Sequence, residues 1–282
     1  MLVEGIALVT SITNAVSALF ISKGMRGSNA LSAALVSTSV QAGILTAFLI
    51  LQLPSLNWMA VALFALSGVF ALGVGRLLYF VAVGRIGLAV SSAVIGCNPL
   101  ISALLAIVLL GESFEFAVFV GALLVVVGIF LLSGATRDAA GGGALVVPFL
   151  SAFSYSLANV IRKAALNFQP DPTLGAQIGA MAGSLCLLVY LIATGRLGEI
   201  RANRRGLGYY SAAGAFQAVG WFALMVAMEM GTVAVVTTIV FSYPLFSLLL
   251  SWMFLRGQED VNLRVIAGCV LIVAGVIAVT LF

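Results

Sequence analysis

The sequence predicts an all-α membrane protein, with ten transmembrane helices in two inverted five-helix repeats. Three observations predict it. Hydrophobic residues make up 63% of the 282 residues and charged residues 8%, with a mean hydropathy of +1.24, far from the balance of a soluble globular chain. The chain parses into ten mostly apolar runs near the length that crosses hydrocarbon, leaving almost nothing for a soluble domain. The second half repeats the pattern of the first, and an odd number of spans per copy forces the second copy to enter the bilayer in the opposite sense.

Taken in order, the runs are Gly5 to Ser22, Ala30 to Leu51, Trp58 to Val83, Leu88 to Leu110, Phe116 to Leu132, Ala144 to Ala164, Thr173 to Thr194, Leu207 to Met228, Val233 to Leu255 and Val261 to Phe282. The first has only Glu4 ahead of it and no basic region, so it is expected to be a retained helix rather than a secretory signal. The breaks carry turn and charge residues, as in "LPSLN" at 53–57, "GESFE" at 111–115, "NFQPDP" at 167–172 and "RGQED" at 256–260. The longest, "GATRDAAGGG" from Gly134, divides the chain into residues 1–134 and 144–282, expected to be one repeat each.

The repeat is clearest in spans four and nine. "VIGCNPLISALLAIVLL" at 94–110 aligns without gaps on "IVFSYPLFSLLLSWMFL" at 239–255, placing Pro99 on Pro244, Leu100 on Leu245 and Ser102 on Ser247. The same offset puts Gly75 on Gly220, and slightly different ones put Gly121 on Gly268, Gly128 on Gly275, Ser11 on Ser151 and Lys23 on Lys163. A proline inside a helix removes a backbone donor and clashes with the preceding turn, at roughly 3 kcal/mol. Matched prolines therefore mark two interrupted helices, the layout of secondary transporters whose solute site lies at the repeat interface near the midplane. The alternative is that both prolines merely kink packed helices.

On these residues the chain resembles the EamA-type drug/metabolite transporters, which have ten spans in two five-span repeats. The likeness covers essentially the whole chain and rests on "NPLISALLAIVLLGE" with "YPLFSLLLSWMFLRGQE", on the glycine-bearing helices "VGALLVVVGIFLL" and "IAGCVLIVAGVIAV", and on Lys23 and Lys163 closing the first helix of each half. The resemblance implies passage of a small metabolite or drug, usually export, with no cofactor, in a cell (inner) membrane. The small multidrug branch of the same superfamily carries a proton-coupling glutamate eight residues before that lysine. Here those positions are Ala15 and Tyr155, so that proton site is missing.

An ionisable side chain at membrane depth is expensive and marks function by default. The acids fall at span ends or in loops, and by this reading only Arg76 is embedded, roughly 13 Å along its helix from Arg85. Its helical neighbours are Gly73, Tyr79 and Phe80, and its aligned position on span eight is Trp221. A guanidinium and an aromatic ring suit a zwitterion or anion with an apolar body, an amino-acid-like or amphiphilic solute. Snorkelling toward the headgroups is the competing role for Arg76. Asn98 and Tyr243 precede the prolines, while Asn14, Ser17, Tyr155, Asn159 and Gln217 add polar groups within apolar helices, each able instead to bond a neighbouring helix. The candidate solute contacts are thus Arg76, Tyr79, Asn98, Pro99, Asn14, Tyr155, Asn159, Gln217, Trp221, Tyr243 and Pro244. The stripe Gly175, Gly179, Gly183 and the paired glycines of spans five and ten are expected to pack helices.

Other function classes fare poorly. There is no histidine, no GxSxG and no embedded acid pair, so none of the arrangements expected of an intramembrane enzyme is present. Cys97, Cys186 and Cys269 are odd in number and unpaired in spacing, so neither disulfide nor metal is expected. The expected partners are a small-molecule substrate and the bilayer, with no nucleic acid, and the chain is expected to be monomeric. A lipid flippase is the alternative on the same fold. Basic residues concentrate in the odd-numbered loops, which places both termini outside by the positive-inside rule, whereas the resemblance implies both inside.

Overall fold

The computed structural model describes residues 2–25, 28–49, 57–86, 91, 94–113, 115–132, 145–201, 203–254 and 263–281, and every regular element among them is helical. This is what apolar segments must do in hydrocarbon, where a helix alone satisfies its own backbone. The first half holds α1 (Leu2–Gly24), α2 (Ala30–Leu49), α3 (Trp58–Gly68), a π-helical segment (Val69–Gly75), α4 (Arg76–Ile86), α5 (Asn98–Leu110) and α6 (Phe116–Leu132). The second holds α7 (Val146–Phe168), α8 (Pro172–Ala193), α9 (Arg204–Met230), α10 (Val233–Val240), α11 (Tyr243–Phe254) and α12 (Leu263–Leu281). Five stretches, beginning at Leu2, Ala30, Trp58, Pro172 and Arg204, are long and apolar enough to cross a membrane by length and composition, and shorter apolar helices accompany them. The breaks at 134–143 and 256–260 and the start of the fourth predicted span lie outside the described residues.

Three predicted spans are built differently from a plain helix. The third bulges, with Ser154 Oγ donating to Phe70 O at 2.7 Å and Ser151 Oγ to Gly75 O at 2.8 Å, so α7 anchors both ends of the π segment. One inserted residue turns everything after it by roughly 100° relative to an unbroken α-helix. The fourth and ninth are interrupted at equivalent places: a turn at Gly96–Cys97 precedes α5, and a turn at Phe241–Ser242 precedes α11. Pro99 occupies the first turn of α5, where its missing N–H costs nothing.

The helices pack in pairs that exchange partners between halves. α1 lies along α9, while α3 and the π segment lie along α7; α2 lies along α9, while α3 lies along α8; α5 meets α7, while α1 meets α10 and α11. Two further pairs, α2 with α8 and α6 with α12, match a helix of one half to its counterpart in the other. The α6–α12 contact is reciprocal at its glycines. A Cβ on Gly121 would sit 2.7 Å from Gly275 O, one on Gly128 2.7 Å from Gly268 O, and one on Gly275 2.5 Å from Gly121 O. The tightest approach is between α3 and α8, where a Cβ on Gly68 would lie 2.0 Å from Gly179 O.

Candidate functional site

A cavity of about 510 Å³ lies where α1, α2, α4, α7, α9 and the broken α10–α11 segment converge. It reaches Ser22, Met25 and Ala30 at the α1–α2 junction, and Met25 is 40% exposed, so the mouth is at that end. Gly24, beside it, packs on Tyr210 near the start of α9, whereas Val3 packs on Gly231 just past the end of α9, so α1 and α9 run antiparallel. The end of the cavity away from the mouth is therefore the end near Gly231. There Lys163 Nζ donates to Met228 O at 2.7 Å, Glu229 O at 3.3 Å and Gly231 O at 2.8 Å, capping α9. Glu112, reached through the left-handed Gly111 that ends α5, accepts from Val233 N at 2.9 Å and caps α10.

Eight of the eleven candidate residues line this cavity: Asn14, Arg76, Tyr79, Tyr155, Asn159, Gln217, Trp221 and Tyr243. The other three do not. Pro99 and Pro244 sit in the first turns of α5 and α11, and Asn98, fully buried, stands behind the wall. Asn98 ties α5 to α7 instead. Its Nδ2 donates to Ser156 Oγ at 2.9 Å and Ala152 O at 3.3 Å, and its Oδ1 accepts from Asn159 Nδ2 at 3.3 Å. Asn159 Nδ2 also donates to Ser102 Oγ at 3.2 Å. With its amide hydrogens committed to α5, Asn159 presents Oδ1 to the cavity.

Arg76 is half-buried at the cavity wall, Nη1 donating to Thr38 Oγ1, with the hydroxyls of Tyr155, Tyr79 and Tyr243 gathered nearby. Its guanidinium is thus engaged by groups of the cavity wall. Gly73 is not on this face: a Cβ there would strike Cys186 Sγ at 2.6 Å, because the π segment resets the helical register that a 3.6-residue spacing assumes. The Phe80 side chain lies outside the described residues.

The expectation that only Arg76 is embedded is wrong. Arg162 is 1% exposed and lines the same cavity, its guanidinium 4.3 Å from the Trp221 ring centroid and its Nη1 donating to Asn159 Oδ1 at 2.8 Å. The sixth predicted span ends at Ala164 because two adjacent bases look like a boundary, but α7 continues to Phe168, leaving Arg162 about 9 Å inside. The apolar "AALNF" that follows Lys163 is the signal that could have found it. Trp221 is itself fixed from behind by Nε1 donating to Ala176 O at 3.1 Å. Among the described residues the cavity thus carries two guanidiniums, four aromatic rings besides Trp221 and no carboxylate.

The EamA-like transporter family model matches residues 1–134 and 142–281. This chain belongs to the EamA-like transporter family. An "uncharacterized transporter" of Archaeoglobus fulgidus is 24% identical over 216 residues, which is 77% of this chain and 74% of that protein. A crystal structure of a protein with 20% identity superposes with a TM-score of 0.81, covering 99% of this chain and 96% of the other, and shows the same fold. EamA membership and the series of long apolar helices make the chain a multi-pass membrane transporter.

The interrupted spans then acquire a test. Pro99→Ala or Pro244→Ala restores a donor and removes the ring clash, letting a helix run through the 96–97 or 241–242 turn. Solute uptake by proteoliposomes should fall at least about fivefold with expression and gel-filtration profile retained. Unchanged uptake per folded molecule would leave the prolines a packing role only.

Proposed function

We propose that this EamA-like chain carries a small organic anion or zwitterion with an apolar body across a cell membrane, as an exporter or facilitator, by alternating access. Two inverted five-span repeats rock against each other around the central cavity. The observation that carries the solute class is the lining itself: two guanidiniums, aromatic rings and, among the described residues, no acid form a receptor for a carboxylate or phosphate on an apolar skeleton. The exchanged helix pairings and reciprocal glycine contacts support the repeats, since a two-fold relation makes every contact i to j recur as j to i. The opening at Met25 and the capped far end support a state open to one side only. Proteoliposome uptake of labelled phenylalanine and 3-phenylpropionate against an organic cation of similar size tests the reading. Uptake of the cation alone would sink it.

Coupling follows from the same lining. Among the described residues its titratable side chains are arginine and tyrosine, whose ordinary pKa values lie at about 10 or higher. Affinity for a carboxylate that stays ionised should therefore vary less than about twofold between roughly pH 5.5 and 8.5, as measured by calorimetry. Uptake should run downhill without a proton gradient. Strict dependence on a pH gradient, abolished by Glu229→Gln, would show that an acid outside the cavity wall drives the cycle.

A further inference from the structure

The second guanidinium of the cavity is only partly used by the protein. Arg162 has Asn159 Oδ1 on one nitrogen and the Trp221 ring against its face, while its Nε, fully buried, has no acceptor. The structure fixes this geometry from three directions: Trp221 is held by Ala176 O, Asn159 by Asn98 and Ser102, and Arg162 by both Trp221 and Asn159. A guanidinium taken from water needs an acceptor for each donor face, or its desolvation is left uncompensated. The Nε lacks an acceptor, and among the described residues the cavity wall has no anionic oxygen to give.

Arg76 is anchored separately, through Thr38 on α2 and Tyr155 on α7, so the two cations are held by different partners. One anionic group on one arginine leaves the other uncompensated. We propose that Arg162 is a second anion subsite and that the solute is an organic dianion, with two separate acidic groups, one on Arg76 and one on Arg162. The apolar part of the skeleton lies against Trp221 and the tyrosines. This rests on the anion-transport reading above and narrows its substrate class. Asn98 and Asn159 are positioning residues: they connect the interrupted start of α5 to the Arg162 guanidinium, so the second acidic group is read by the same hydrogen-bond network that seats the helix break.

The test compares two ligands that differ by one carboxylate, phenylsuccinate and 3-phenylpropionate, titrated calorimetrically into the purified full-length protein at pH 7.5. The dianion should bind at least about tenfold tighter. Arg162→Gln should bring the two affinities within about twofold of each other, and Arg162→Lys should fall between, keeping the charge without the planar fork. Equal affinity of wild-type protein for both ligands overturns the proposal with no variant needed, so a misfolded Arg162→Gln protein does not shelter it. A preference for the dianion that survives in folded Arg162→Gln protein overturns it too. If 3-phenylpropionate binds and is carried in an Arg76-dependent way while the second carboxylate adds nothing, the transporter reading stands and this one falls. If neither ligand binds or is carried, both fall.

Discussion

Arg76→Gln is expected to lower anion uptake by proteoliposomes by about thirtyfold, and Arg76→Lys by only a few-fold. A charge-assisted, bidentate contact in a site shielded from water contributes on the order of 2 kcal/mol beyond a neutral hydrogen bond, which is the thirtyfold. Lysine keeps the charge but loses the fork; glutamine keeps neither. The loss should appear for acidic and zwitterionic solutes and vanish for neutral ones in the same vesicles. Because Thr38 and Tyr155 hold the wild-type guanidinium within the wall, the glutamine variant still finds a hydroxyl partner and should fold. Equal uptake of every solute by wild type and Arg76→Gln would remove this residue from the path.

Gly68→Ala is the substitution expected to damage the fold most for the least chemical change. The new methyl would be placed 2.0 Å from Gly179 O, a backbone atom in the middle of α8 that no rotamer change moves aside. α3 and α8 must separate by more than an ångström along a contact that continues at Gly183, whose own Cβ would lie 2.8 Å from Gly68 O. Overpacking of this kind costs about 1–3 kcal/mol, more where backbone faces backbone. The readout is the thermal midpoint of detergent-solubilised protein together with monodisperse yield. Gly43→Ala, with nothing within 4 Å of the added atom, is the control and should be neutral. A Gly68→Ala protein as stable as the control would mean that the two helices are less tightly engaged than the contact implies.

Hydropathy locates the helices well because apolar length is a property of single segments. The fifth predicted span, Phe116–Leu132, has the same bounds as α6, and the interruptions appear two residues ahead of both aligned prolines. What hydropathy misses depends on register and neighbours. A 3.6-residue count puts Gly73 on the Arg76 face, but that count runs through a segment that is π-helical, where it fails. Polarity beside a helix break is visible in sequence and makes Asn98 look like a solute contact. Which wall that polarity faces is decided by Ser156 and Asn159, more than fifty residues away. A charge in a membrane span normally ends it, which hides Arg162; the Trp221 ring from α9 and the Asn159 Oδ1 acceptor together make its burial tolerable.

The caps at the closed end have an uneven tolerance to change. Lys163 reads three carbonyl oxygens and Glu112 an amide hydrogen, and the one side chain between Met228 and Val233 that adds to this is Glu229, whose charge lies near Lys163. Outside Glu229, that stretch can drift in identity while the clasp stays shut. Its vulnerability lies in the peptide plane: Val233→Pro deletes the one hydrogen that Glu112 holds, and does so without touching a charge. The two side chains that do the holding have no such latitude, since each serves atoms that every alternative sequence of the turn would still present.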